Sequence, residues 1–183
     1  MSYYLGIFGG VGTNPSAALL KGKKIIAFAE EERFNRIKNA PLALPLNAIF
    51  YCLKKAKISM NRIKEISFGW DCPHQFNIVP KKFKKIYLKH GGLRNRYNLN
   101  LEDRIRLGYD PDKIINEIKW AFAKKEQKFN KKIIYYKHHL SHAASTFYPS
   151  GFKKSSILIL DGMGEEFTGG FYVGDGKNIK CLK

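Results

Sequence analysis

The sequence is poor in acid. Its 183 residues carry 15 Asp and Glu against 33 Lys and Arg, a formal charge of +18. It is also poor in cysteine: Cys52, Cys72 and Cys181 are odd in number and widely spaced, with no C-x-x-C pair. That spacing argues against both a disulfide framework and a zinc knuckle, and a reduced, cytoplasmic setting is expected. No run of 18 apolar residues occurs, so no transmembrane helix is expected. The N-terminus has no basic residues ahead of its apolar stretch, so it reads as a first strand rather than a secretory signal. Arginine is scarce beside lysine, 7 against 26. With Ile and Asn also abundant, that bias reads as AT-rich coding rather than as a nucleic-acid-binding surface, although a basic balance can mean nucleic acid. Positive charge still suits phosphate-bearing substrates. What is present, 44% hydrophobic and 14% aromatic residues, is enough for the core of one domain or two small lobes.

Residues 3–9 run apolar into Gly9-Gly10-Val11-Gly12-Thr13-Asn14, a strand followed by a glycine-rich turn. Ser16 to Leu20 is a second strand, Lys21-Gly22-Lys23 a tight hairpin, and Lys24 to Glu30 a third strand. Strand, glycine turn, strand, hairpin and strand open the actin-like ATPase folds; an ordinary β-meander gives the same pattern. In such a fold the backbone N–H groups of the first turn, around Gly12, Asn14 and Ser16, approach a phosphate. The block Glu30 to Lys38 leads with acid and ends with base, as a solvated helical turn does. Its Arg33, Arg36 and Lys38, beside Glu32, also make a candidate anion cradle. Pro45 starts a helix with apolar Leu46, Ile49, Phe50, Leu53 and Ala56, and Glu65 to Trp70 reads as the next strand. From Lys81 to Tyr97, basic residues alternate with Phe83, Tyr87 and Tyr97. That interleaving can bind single-stranded nucleic acid, but Phe83, Ile86 and Tyr87 also fit the core face of an amphipathic helix. Asp110-Pro111 opens a helix, and Ile133 to Tyr136 is a strand.

The chemistry concentrates after it. His138, His139 and His142 fall within five residues at the start of a small-residue helix. His138 and His142 share one helix face, a spacing that lets two imidazoles grip one metal ion, though such pairs also occur as surface or capping residues. His139 points away from that face. The apolar strand Ile157 to Leu160 ends on Asp161, before Gly162 and Gly164, where α/β proteins place ligands. A last hairpin is expected at Gly174-Asp175-Gly176. The final strand edge, Ile179 to Leu182, is exposed and is expected to promote association. A sheet of two or three strands is poorly covered, so the sequence reads as stopping in mid-fold.

Four blocks carry a family resemblance: LGIFGGVGTNPSAALL, IIAFAEEERFNRIK, KHHLSHAASTFYPSGF and ILILDGMGE. In order and spacing they resemble the N-terminal part of the NodU/CmcH carbamoyltransferases. The resemblance implies an actin-like ATPase (ribonuclease H-like) fold similar to the tRNA threonylcarbamoyl-transfer ATPase. It implies a first lobe over 1–150 and the opening of a second over 155–183. It also implies a divalent metal, iron in the family, on His138, His142 and Asp161, with a further aspartate from a later segment. In the family a C-terminal domain makes carbamoyl-adenylate from carbamoyl phosphate and ATP, and the N-terminal domain passes the carbamoyl group to a hydroxyl acceptor. Asp161 and His139 are then the catalytic candidates, with His139 as acid–base group for the acceptor. Gly12, Asn14, Ser16, Arg33, Arg36, Lys38, Gly162 and Gly164 are the substrate-binding candidates. The family's first-turn His-Asp or His-Asn pair is replaced here by Thr13-Asn14, so the histidine is absent. The remainder of the enzyme is expected on a further segment or a second chain. A tRNA threonylcarbamoyladenosine-forming protein and a non-catalytic metal- or nucleic-acid-binding fragment are the alternatives; the E-E-E-R-F-N-R-I-K block favours the carbamoyltransferase.

Overall fold

The computed structural model describes residues 1–77 and 108–182; the basic and aromatic stretch from Lys81 to Tyr97 lies outside them. The chain opens with an antiparallel meander, β1 (Tyr3–Phe8), β2 (Ser16–Lys21) and β3 (Lys24–Glu30). Leu5, Ile7, Ala17 and Leu19 are buried in it, alternating with more exposed neighbours, the period of a sheet with one covered face. A short helix α1 (Glu32–Asn35) follows, then α2 (Leu46–Ala56), which buries Ala48, Ile49, Cys52 and Leu53. A single 3-10 turn at Met60–Arg62 delivers the chain into β4 (Ile63–Phe68).

Beyond β4 lie α3 (Cys72–Asn77), α4 (Pro111–Ala123), β5 (Ile133–Tyr135) and α5 (His138–Ser150). Asp110 caps α4: its carboxylate accepts the N–H groups of Asp112 at 2.9 Å and Lys113 at 3.3 Å, with Pro111 in the first turn. β4 lies parallel to β1, and β5 parallel to β4, giving a mixed sheet in the order β3-β2-β1-β4-β5. Leu5, Leu19, Ile49, Ile66, Phe68, Ile118 and Phe122 form its core, where Phe50 of α2 meets Phe122 of α4 at 4.7 Å between ring centres.

The second sheet repeats the opening motif. β6 (Lys154–Leu160), β7 (Gly169–Asp175) and β8 (Asn178–Cys181) form another antiparallel meander, in the order β6-β7-β8. One face rests on α5, with Ala143, Ile159 and Tyr172 buried between them. β1 has parallel β4 on its other side; β6 has no strand on its other side among the described residues.

Three departures from the sequence reading bear on the packing. β4 starts two residues earlier than expected, because Ile63 is buried and pairs with Tyr3, and it ends at Phe68 rather than Trp70. The last hairpin turns at Gly176 and Lys177, and Gly174 is a strand residue. A Cβ on Gly174 would come within 2.5 Å of the Phe147 ring of α5, so the missing side chain there makes room for packing. Glu31, expected in a solvated turn, is 3% exposed. Its Oε1 accepts from Asn47 N–H and Asn47 Nδ2, and its Oε2 accepts the Ala48 N–H, which caps α2 from a distance. No helix among the described residues is long and apolar enough to cross a membrane.

Candidate metal centre

The site lies where the two sheets meet. β1 and β4 run parallel and release their C-terminal ends side by side. Phe8 from β1 and Trp70 just beyond β4 pack against the His138 ring, at 5.9 and 4.4 Å between ring centres. α5 starts at that edge, and β6 ends beside it on Asp161. His138 Nε2 is 3.0 Å from Asp161 Oδ2 and 3.0 Å from His142 Nε2, and His142 Nε2 is 3.5 Å from Asp161 Oδ2. The ligand atoms of His138, His142 and Asp161 all lie within 4.8 Å of one another. The helix spacing and the strand end thus bring these three side chains together.

Protonation makes this convergence informative. His138 Nδ1 is 3.1 Å from the Gly69 carbonyl, which can only accept, so Nδ1 carries a proton and Nε2 is the ring nitrogen turned toward the centre. That nitrogen faces a carboxylate oxygen and a second imidazole nitrogen. Asp161 Oδ2 is buried without a hydrogen bond, while Oδ1 accepts the Gly162 N–H at 2.6 Å. Burial pushes the Asp161 carboxyl up, but the Gly162 N–H and the facing imidazoles of His138 and His142 outweigh it and hold it below its ordinary value. Burial and the neighbouring His138 push the His142 imidazole below its ordinary value, partly offset by Asp161. Two imidazoles and a carboxylate around one point, with an orphaned buried oxygen among them, fit a divalent cation of the borderline class that includes iron and zinc.

His139 takes a different position. It is 4% exposed, its Nε2 lies 3.7 Å from Asp161 Oδ2, and that nitrogen has no hydrogen-bond partner. Gly164 covers it: a Cβ there would fall within 2.8 Å of His139 Nε2. Gly162 and Gly164 belong to the loop around the centre, and their N–H groups are used within it, by Asp161 Oδ1 and by the Phe167 carbonyl.

The first turn starts at the same sheet edge but is braced by another loop. Gly10 N–H donates to Ala43, Asn14 N–H donates to Asn39, and the Gly12 carbonyl accepts from Leu42. Ser16 pairs with Glu30 as the first residue of β2. Arg33 and Lys38 are exposed, and their ion pairs are with Glu30 and Glu32; Arg36 closes α1 in the left-handed conformation. Among the described residues, no hydrogen bond or ion pair joins these basic groups to the histidines.

The sequence reading missed Glu165 as a participant. It is 8% exposed, and its Oε1 accepts the His138 N–H at 2.8 Å and the Asp71 N–H at 2.9 Å. Its acidic neighbour Glu166 meets His74 at 2.6 Å. The D-G-M-G-E-E run holds these groups in sequence, but no local period marks either glutamate as inward-facing.

The family described as Carbamoyltransferase N-terminus matches residues 7–182. An uncharacterized protein of Synechocystis, sll1178, is 31% identical over 169 residues, covering 90% of this chain and 26% of that protein. The nodulation protein NolNO of Sinorhizobium fredii is 30% identical over 169 residues, covering 91% of this chain and 22% of that protein. The chain therefore spans about a quarter of the length of these curated relatives. A solved structure, described as an uncharacterized protein with similarity to peptidase YEAZ from Pseudomonas aeruginosa, matches all of this chain and 64% of its own. Its TM-score is 0.50 at 13% identity. That likeness is one of fold, the mixed α/β fold of the actin-like ATPases.

Proposed function

Because the chain belongs to the family of carbamoyltransferase N-terminal domains, we propose that it is the acceptor-side portion of a metal-assisted O-carbamoyltransferase. In this reading the complete enzyme draws on ATP and carbamoyl phosphate through a carbamoyl-adenylate, and the acceptor is a small-molecule hydroxyl. The observation that carries the metal assignment is the convergence of His138 Nε2, His142 Nε2 and Asp161 Oδ2, with His138 Nε2 turned there by the contact of Nδ1 with the Gly69 carbonyl. These three residues would hold a divalent ion, iron(II) in the family. Bound there, it would keep net positive charge and polarise carbonyl or phosphoryl oxygens.

The chain's own groups divide the remaining work. The Gly69 carbonyl and the Trp70 ring orient His138, and the Gly162 N–H holds one Asp161 oxygen so that the other faces the imidazoles. His139 is the candidate base: its Nε2 has no hydrogen-bond partner and lies 3.7 Å from Asp161 Oδ2. The first turn and the Arg33, Arg36 and Lys38 cluster are candidates for phosphate contacts, on their charge and their place near the β1 end. The step that uses carbamoyl phosphate and ATP is assigned to further polypeptide of the complete enzyme, since the curated relatives are about four times longer.

Two measurements test the reading. Wild type purified anaerobically with iron(II) is expected to retain about one metal per chain, and His142→Ala to lose it; equal metal content in both would overturn the site. Carbamoylation of a panel of hydroxyl acceptors from carbamoyl phosphate and ATP is expected only when the polypeptide matching the rest of the relatives is supplied. Turnover by the 183 residues alone would show that donor activation resides within them.

A further inference from the structure

The loop from Asp161 to Thr168 is closed on itself: Asp161 N–H donates to Thr168, and Gly164 N–H donates to Phe167. From it a single carboxylate oxygen, Glu165 Oε1, reaches two other parts of the fold. One target is the N–H of His138, the first residue of α5, which has no intrahelical acceptor. Lys137, the residue before it, supplies no side-chain cap. The other target is the N–H of Asp71. Asp71 follows directly on Gly69, whose carbonyl accepts the hydrogen bond of His138 Nδ1–H, and Trp70, whose ring lies against the imidazole. One oxygen therefore fixes the His138 backbone and also the segment that orients its ring.

We propose that Glu165 is a positioning residue for the metal centre, setting the tautomer and direction of His138. The proposal rests on the metal reading above, but its first consequence concerns the metal-free protein. Without Glu165, the α5 first turn and the Asp71 backbone lose a common acceptor. The Gly69 carbonyl and His138 Nδ1 are then free to separate, and the ring samples both tautomers. The outer partners of metal-bound histidines act in this way, and losing one costs roughly 10–100-fold in metal affinity. Gln in place of Glu165 retains a carbonyl oxygen able to accept both N–H groups, so it is the conservative rescue.

The test uses the full 183-residue chain as wild type, Glu165→Ala and Glu165→Gln. Imidazole nitrogen and carbon NMR shifts of His138 are read without metal, and cobalt(II) titrations are followed by the visible spectrum. Expected are an Nδ1–H tautomer in wild type and Glu165→Gln, tautomer averaging in Glu165→Ala, and cobalt affinity reduced roughly 10–100-fold in Glu165→Ala alone. A folded Glu165→Ala protein with wild-type His138 shifts would overturn the proposal. If Glu165→Ala does not fold, Glu165→Asp, one methylene short of both N–H groups, is read by the same criterion. Wild type that binds no cobalt would sink the metal reading, while the ring shifts would still decide the role of Glu165.

Discussion

Two glutamates show what a local pattern can and cannot reveal. Glu30, Glu31 and Glu32 are adjacent, and the charge order around them fits a solvated turn. Yet Glu31 is buried and holds the start of α2, where Pro45 offers no side-chain acceptor. Its partners lie 16 and 17 residues away, so nothing in the neighbouring sequence picks it out of the three. Replacing it strands a buried backbone N–H, at a cost of about 1–3 kcal/mol. Glu31→Ala is therefore expected to lower the melting temperature by a few degrees, at roughly 2–4 °C per kcal/mol for a chain of this size. Glu32→Ala should change it less, because that side chain's partners are the Asn39 N–H and the surface cations Arg33 and Lys38. Thermal unfolding of the two variants side by side checks this, and equal shifts would remove the special role given to Glu31. Glu165 escaped the sequence reading for the same reason, since its partners are 27 and 94 residues distant. The histidine pair and Asp161 were legible because helix period and strand end are local signals.

At the scale of elements, periodicity located the strands, α2, α4 and α5, and long-range packing moved their ends. Gly174 was expected to mark a turn, but the Phe147 ring of α5 explains that glycine instead. Periodicity also did not show what the outer face of the second sheet would carry. Leu158 stands opposite Phe171 in the register, and Leu182 donates its N–H to the Phe171 carbonyl, so the three form an apolar row across the strands. Leu158, Phe171 and Leu182 are each more than half exposed, as is Leu160. An exposed apolar row on a small sheet binds hydrophobic dyes and drives association. The isolated chain is expected to bind such a dye and to self-associate with rising concentration. Phe171→Lys with Leu158→Lys should reduce both, read by fluorescence and sedimentation. A monomeric wild type that leaves the dye dark would contradict this.

Across the whole molecule, the centre belongs to neither sheet alone. Its histidines lie at the start of α5 beside the first sheet's C-terminal edge, and its carboxylate closes β6 of the second. The fold class was legible because the opening meander is contiguous in sequence. The meeting of the sheets was not, since it depends on the loop 161–168 reaching back to Asp71 and His74. The side of β6 that pairs with no strand among the described residues has a consequence of its own. Asp161 donates its N–H across to Thr168, and Lys153 accepts from Gly176, so odd-numbered residues between them direct their backbone groups toward β7. The N–H groups of Ser156, Leu158 and Leu160 therefore point out of the sheet on the other side. Their deuterium uptake should be fast, while Ser155, Ile157 and Ile159 stay protected. Among the described residues, the strand that presents Asp161 is latched along one side only. A slowing of those three amides on addition of any polypeptide would mark the moment a neighbour locks the carboxylate's strand from the other.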